Sequence, residues 1–129
     1  MIVINERSPI PIYEQIIQQL KELILKGAVT SGEKLPSVRE LSATILVNPN
    51  TVSKAYQELE RQGVIETLRG KGTYVCSQQA AKITPEMLEQ IRQSLKQTVL
   101  EASYAGISGE QLKTWIDQYL LELRSGTNA

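Results

Sequence analysis

The sequence predicts an α+β fold, mainly α, from three observations. Apolar residues recur at helical intervals in five stretches, and each stretch opens on a helix-start signal. One pair of strand-like runs, residues 64–68 and 73–76, meets across the glycine-punctuated turn Arg69-Gly70-Lys71-Gly72. At 129 residues the chain has room for one domain, or one domain plus a small appendage. Hydrophobic residues at 41% and charged residues at 22% are the proportions of a globular fold with a packed core.

Pro11 is placed to open the first helix at its first position, and Ile12, Ile16, Leu20, Leu23 and Ile24 then form one apolar stripe. Gly27 supplies a stop after Lys26, and residues 30–36 carry turn residues and read as a loop. Ser37 and Glu40 form a Ser-x-x-Glu capping box, with Val38, Leu41 and Ile45 as the buried face of a short second helix. Asn48 caps a third helix whose first residue is Pro49, while Val47 and Val52 occupy the two positions of a hydrophobic staple. Its inner face is Val52, Ala55, Tyr56 and Leu59, and Gly63 is placed to end it. Only Leu46 and Val47 separate the second helix from the third. So tight a connection forbids side-by-side antiparallel packing, so the pair should cross steeply and bury its inner faces on the first helix. Followed by the hairpin, this is the plan of a winged helix-turn-helix.

A two-helix tail follows. Thr84 caps and Pro85 starts its first helix, with Leu88, Ile91, Leu95, Val99 and Ala102 on one side and an end near Gly106. Ser108 with Gln111 forms a capping box, and Ile107 with Leu112 a staple, for a second helix whose apolar face is Leu112, Trp115, Ile116, Tyr119, Leu120 and Leu123. The expected division is a winged domain, residues 1–77, and a linker with a two-helix dimerisation domain, residues 78–129; residues 78–82 are the linker. A tail of about 40 residues usually needs disulfides, metal or a partner to fold. One cysteine and no histidine leave the partner. The apolar faces of both tail helices, Leu88, Ile91, Leu95 and Val99 with Leu112 to Leu123, are therefore expected to meet a second copy; the alternative is a monomer whose tail packs on its own winged domain.

Without histidine the chain cannot build a Ser-His-Asp triad, a Cys-His pair or a His-ligated metal site, and its glutamates are dispersed among Lys and Arg. No enzyme, metal site or cofactor is expected. Cys76 reads as a small buried or half-buried apolar residue in a reducing compartment. Residues 1–7 lack a basic segment followed by an apolar core, and no apolar run approaches the ~18 residues that span a bilayer. A cytoplasmic protein is expected, with no membrane partner.

Lys+Arg and Asp+Glu stand at 14 each, so net charge carries no nucleic-acid footprint and local placement must supply one. Opposite Val52 and Leu59 the third helix carries Asn50, Lys54, Gln57 and Arg61, all hydrogen-bond donors. Asn and Gln can pair bidentately with adenine, and Lys or Arg can reach guanine or phosphate. An ordinary polar surface has the same composition, so context decides. A purely structural hairpin tip needs its glycines but has no use for Arg69 and Lys71, whereas a wing lying on phosphates needs both charges and a close backbone approach. The rival is a protein-interaction adaptor on the same fold without DNA, which calls for an acidic or apolar outer face on the third helix.

The run LPSVRELSATILVNPNTVSKAYQELERQGVIETLRGKGTYV from Leu35 to Val75, with PIYEQI from Pro11, resembles the GntR family of bacterial regulators. The length and the two-helix tail resemble its YtrA subfamily, whose members lack a large effector domain. The resemblance implies a transcription repressor that binds double-stranded DNA at a palindromic operator as a homodimer, with an ABC-transporter operon as target and the effector unknown. It further implies that Ser37 and Arg39 contact phosphate or a base edge. Asn50, Thr51, Ser53 and Lys54 match the recognition-helix positions, joined by Gln57 on the same outer face, and Arg69, Gly70 and Lys71 match the wing tip. Pro49 and Ser53 stand where other branches often carry arginine, so no base preference carries over from those branches.

Overall fold

The computed structural model describes residues 2–77 and 83–125. In chain order these form α1 (Ile12–Leu25), β1 (Lys34–Leu35), α2 (Val38–Ile45), α3 (Pro49–Arg61), β2 (Ile65–Leu68), β3 (Gly72–Val75), α4 (Pro85–Tyr104) and α5 (Gly109–Ser125). They divide into two compact units, Met1–Ala81 and Lys82–Ala129. The expected linker, residues 78–82, lies outside the described residues.

In the first unit α1 begins one residue later than expected. Pro11 is extended (φ −55°, ψ 148°) and caps the helix from outside, its carbonyl accepting from the Gln15 N–H. The apolar stripe turns inward, with Ile16 and Leu20 buried, and each is preceded by a glutamine, Gln15 and Gln19, one turn apart. The Gln19 amide accepts from the Val3 N–H at 2.8 Å and donates to the Val3 carbonyl at 2.7 Å. The Gln15 amide does the same to Asn5, at 2.9 Å each way, and donates also to the Ile10 carbonyl at 2.8 Å. Each amide thus pairs with the extended N-terminal segment as a neighbouring strand would, which holds Ile2 and Ile4 against the core. Gln15 is buried with both ends of its amide satisfied, the condition under which a polar group is tolerated there.

Between α2 and α3 the chain reverses through Leu46, the one non-glycine residue at positive φ (57°) among the described residues. The Val47 N–H donates to the Ser42 carbonyl and the Ser42 hydroxyl to the Val47 carbonyl, so both polar groups of the turn are used. α3 packs on α1 and α2, and its whole predicted inner face, Val52, Ala55, Tyr56 and Leu59, is buried. Leu35, Leu41, Ile65 and Val75 complete the core.

The three-stranded antiparallel sheet has the order β1-β3-β2. β2 and β3 form the expected hairpin, each starting one residue away from its predicted place. β1 corrects the reading of residues 30–36 as loop alone: two residues have no legible alternation, and the strand exists through pairing, with Lys34 opposite Tyr74 and Leu35 opposite Thr73. Three helices and this hairpin make a winged helix-turn-helix. Cys76, beside the last strand, is half-buried and free, and burial raises its thiol pKa.

In the second unit the Thr84 hydroxyl accepts from the Met87 N–H, and the Ser108 hydroxyl from the Gln111 N–H, both at 3.1 Å. Ala102 is buried, and Leu112 and Leu123 are half-buried. Leu88, Ile91, Leu95, Val99, Trp115, Ile116, Tyr119 and Leu120 all remain exposed, from 37% at Trp115 to 63% at Ile91. Two helices cover little of their own apolar surface. No helix among the described residues is long and apolar enough to cross a membrane.

Candidate nucleic-acid interface

The third helix is held so that one face points outward along its length. The Asn48 side chain accepts from the Asn50 N–H at 2.8 Å and Pro49 takes the first position, which satisfies one of the unpaired donors of the first turn. Near its middle the Tyr56 hydroxyl donates to the Pro36 carbonyl at 2.7 Å, tying α3 to the residue before the α2 cap. Burial pushes the Tyr56 pKa up to about 12. Asn50, Lys54 and Gln57 are exposed on the opposite face, with Thr51 and Ser53 half-buried on its flanks.

Two members of that outer face have neighbours the sequence did not announce. The Lys54 ammonium lies 3.9 Å from the centroid of the Tyr13 ring on α1. The Tyr13 hydroxyl donates to Glu14 at 3.2 Å, and that bond to a carboxylate raises its pKa. Arg61, read from the sequence as one of four available donors, is instead engaged: Glu58 accepts from its Nε at 3.0 Å and from its Nη2, and also from the Gln62 amide at 2.6 Å. These bonds, Arg61 first, hold the Glu58 carboxyl at about 2. The free donor row is therefore Asn50, Lys54 and Gln57.

At the start of α2 the capping box is complete in both directions: the Ser37 hydroxyl accepts from the Glu40 N–H and the Glu40 carboxylate from the Ser37 N–H, each at 3.0 Å. The bond from the Ser37 backbone holds the Glu40 carboxyl below its usual range. Arg39, in the same first turn, is exposed. At the wing, Arg69, Gly70 and Lys71 form the exposed tip, with Gly70 at φ 78° and the Lys71 N–H bonded to the Leu68 carbonyl. The Tyr74 hydroxyl donates to the Lys71 carbonyl at 3.0 Å and clamps the turn. Tyr13 and Tyr74 are not singled out by the sequence, because the pattern of the chain does not announce which group a tyrosine ring or hydroxyl will meet. Among the described residues no group of three or more His, Cys, Asp or Glu could hold a metal ion.

The model of the bacterial regulatory proteins of the gntR family matches residues 12–75. The HTH-type transcriptional repressor YtrA of Bacillus subtilis (strain 168) is 52% identical over 126 residues, which cover 98% of this chain and 97% of that protein. The chain belongs to the GntR family. Among solved structures, that of a transcriptional antiterminator from Listeria monocytogenes EGD-e superposes on this GntR chain with a TM-score of 0.91 at 47% identity, covering 95% of this chain and 92% of that one. The DNA-binding domain of AraR in complex with operator ORR3 gives a TM-score of 0.51 at 27% identity, over 57% of this chain and 88% of that one. This GntR protein is thus a YtrA-like transcriptional regulator with a winged-helix DNA-binding domain, and its relatives are regulators, in accord with the expectation that it is not an enzyme.

Proposed function

We propose that this GntR protein is a cytoplasmic repressor that binds a palindromic double-stranded DNA operator as a homodimer. The observation that carries the reading is the exposed donor row Asn50, Lys54 and Gln57 on α3, displayed by a helix whose opposite face is wholly buried. In this mechanism α3 enters the major groove and that row reads base edges, with Thr51 and Ser53 beside it. Arg39 and Ser37 at the start of α2, and Arg69, Gly70 and Lys71 at the wing tip, lie on phosphates and set the register. The relative named a repressor and the relative bound to an operator support this reading. The adaptor alternative requires an acidic or apolar α3 face, and this one carries Lys54.

The homodimer rests on the tail: the predicted apolar faces of α4 and α5, from Leu88 to Val99 and from Trp115 to Leu120, stay exposed, and a second copy closes that surface. Likeness to the YtrA subfamily makes an ABC-transporter operon the target. Selection of genomic fragments by the purified chain tests the whole. It should enrich an inverted repeat with half-site centres about one DNA turn, ~34 Å, apart. Enrichment of no sequence over random fragments, or of a motif without two-fold symmetry, would overturn it.

A further inference from the structure

We propose that Lys34, on the short strand β1, is an additional phosphate-binding residue, placed between the first turn of α2 and the wing; the inference rests on the DNA-binding reading above. Leu35 is buried in the core, so the alternation of the strand turns Lys34 to the outer face of the sheet, opposite Tyr74. A Cβ placed on Gly72 would meet the Lys34 Cε at 2.8 Å and the Nζ at 3.5 Å, so the lysine stem crosses the base of the wing directly over this glycine. Gly72 has φ 119° and is the residue at which the tip turn re-enters β3. The glycine therefore serves two ends: its backbone conformation, and the room its missing side chain leaves for the lysine.

On its other side the Lys34 charge reaches α2, where it helps to lower the Glu40 carboxyl pKa, after the larger effect of the bonds from Ser37. The acidic groups around it are Glu40, the adjacent Glu33, and Glu66, which stands opposite Tyr74 on the far strand. Among the described residues none lies within ion-pair distance of it. An exposed ammonium on a stem already laid against backbone loses little further freedom when it meets an anion. Lysine is a point charge suited to phosphate and unsuited to bidentate reading of a base. Lys34 thus links two sets of contacts that are separate in the sequence, Arg39 at the α2 start and Arg69 with Lys71 at the wing tip.

The test uses the full chain and a random-sequence DNA duplex of about three helical turns, titrated by fluorescence anisotropy over a range of salt concentrations. Lys34→Met keeps the stem over Gly72 and removes the charge. It should bind several-fold more weakly at low salt, with a log K against log salt slope smaller by about two, one for each protomer of the dimer, and an unchanged melting temperature. An unchanged slope in Lys34→Met overturns the proposal. Weakened binding in Lys34→Ala with wild-type binding in Lys34→Met also overturns it, because the residue would then act only by packing on the wing. If the wild-type chain fails to bind the duplex at low salt, the DNA-binding reading itself falls, and this inference with it.

Discussion

The Lys54 ammonium on α3 sits over the face of the Tyr13 ring on α1, 3.9 Å from its centroid, so the proposed base-reading lysine is positioned by a residue of another helix. An exposed cation–π contact contributes about 0.5–1 kcal/mol. Lys54→Ala should weaken operator binding by about 1–3 kcal/mol if the lost contact is to a base, and Arg39→Ala should weaken it through lost phosphate contact. Tyr13→Leu should weaken binding in the wild-type background and have no effect in a Lys54→Met background, while Tyr13→Phe keeps the ring and the affinity. A double-mutant cycle by anisotropy measures this; equal effects of Tyr13→Leu in both backgrounds would show that the two side chains act independently.

Glu58 should make stability fall at low pH. Its folded pKa of about 2 lies below the ordinary value of 4.5, so its contribution is present above about pH 4.5 and is lost as pH falls through 2. Glu58→Gln should flatten the melting temperature over that window. At neutral pH the same change removes a negative charge and releases Arg61, so affinity for a random duplex at low salt should rise. Weaker binding by Glu58→Gln would refute the view that Glu58 restrains Arg61.

Tyr56 supplies an alkaline counterpart. Its folded pKa, about 12, lies above the ordinary 10.0, so the stability associated with the neutral phenol is present below pH 10 and is lost as pH rises towards 12. Tyr56→Phe removes the bond to the Pro36 carbonyl and should cost about 1 kcal/mol at pH 7. Denaturant titrations at neutral and alkaline pH should show the wild type converging on the mutant as pH rises. A constant gap would mean that the hydroxyl bond does not set the difference.

The tail prediction concerns assembly. A carboxylate in the middle of either exposed apolar face, Leu95→Glu on α4 or Ile116→Glu on α5, both about half exposed (53% and 45%), should leave the winged unit of each chain folded, since both sites lie in the other unit. Sedimentation at micromolar concentration should find the wild type dimeric and both variants monomeric, with operator affinity reduced as the two half-sites cease to be bound together. Dimers in both variants would remove the tail from the interface.

What the sequence determined by itself are the parts whose causes lie within a few residues. The Ser37–Glu40 box and the Asn48-Pro49 start are closed by bonds three residues apart or fewer, and the inner face of α3 is a matter of helical period. The Glu58–Arg61 pair is equally local, yet periodicity showed Arg61 only as an outward donor and said nothing of the carboxylate one turn back that engages it. Tertiary structure alone decided the rest. β1 is a strand only because β3 lies beside it, Lys34 rests on Gly72 only because that pairing sets their register, and Lys54 meets Tyr13 only because α3 packs on α1. The paired amides of Gln15 and Gln19 likewise need a chain segment that returns along α1. Caps and apolar stripes are read from neighbours in the chain, whereas a lysine's position over a ring or a glycine depends on which elements the core brings together.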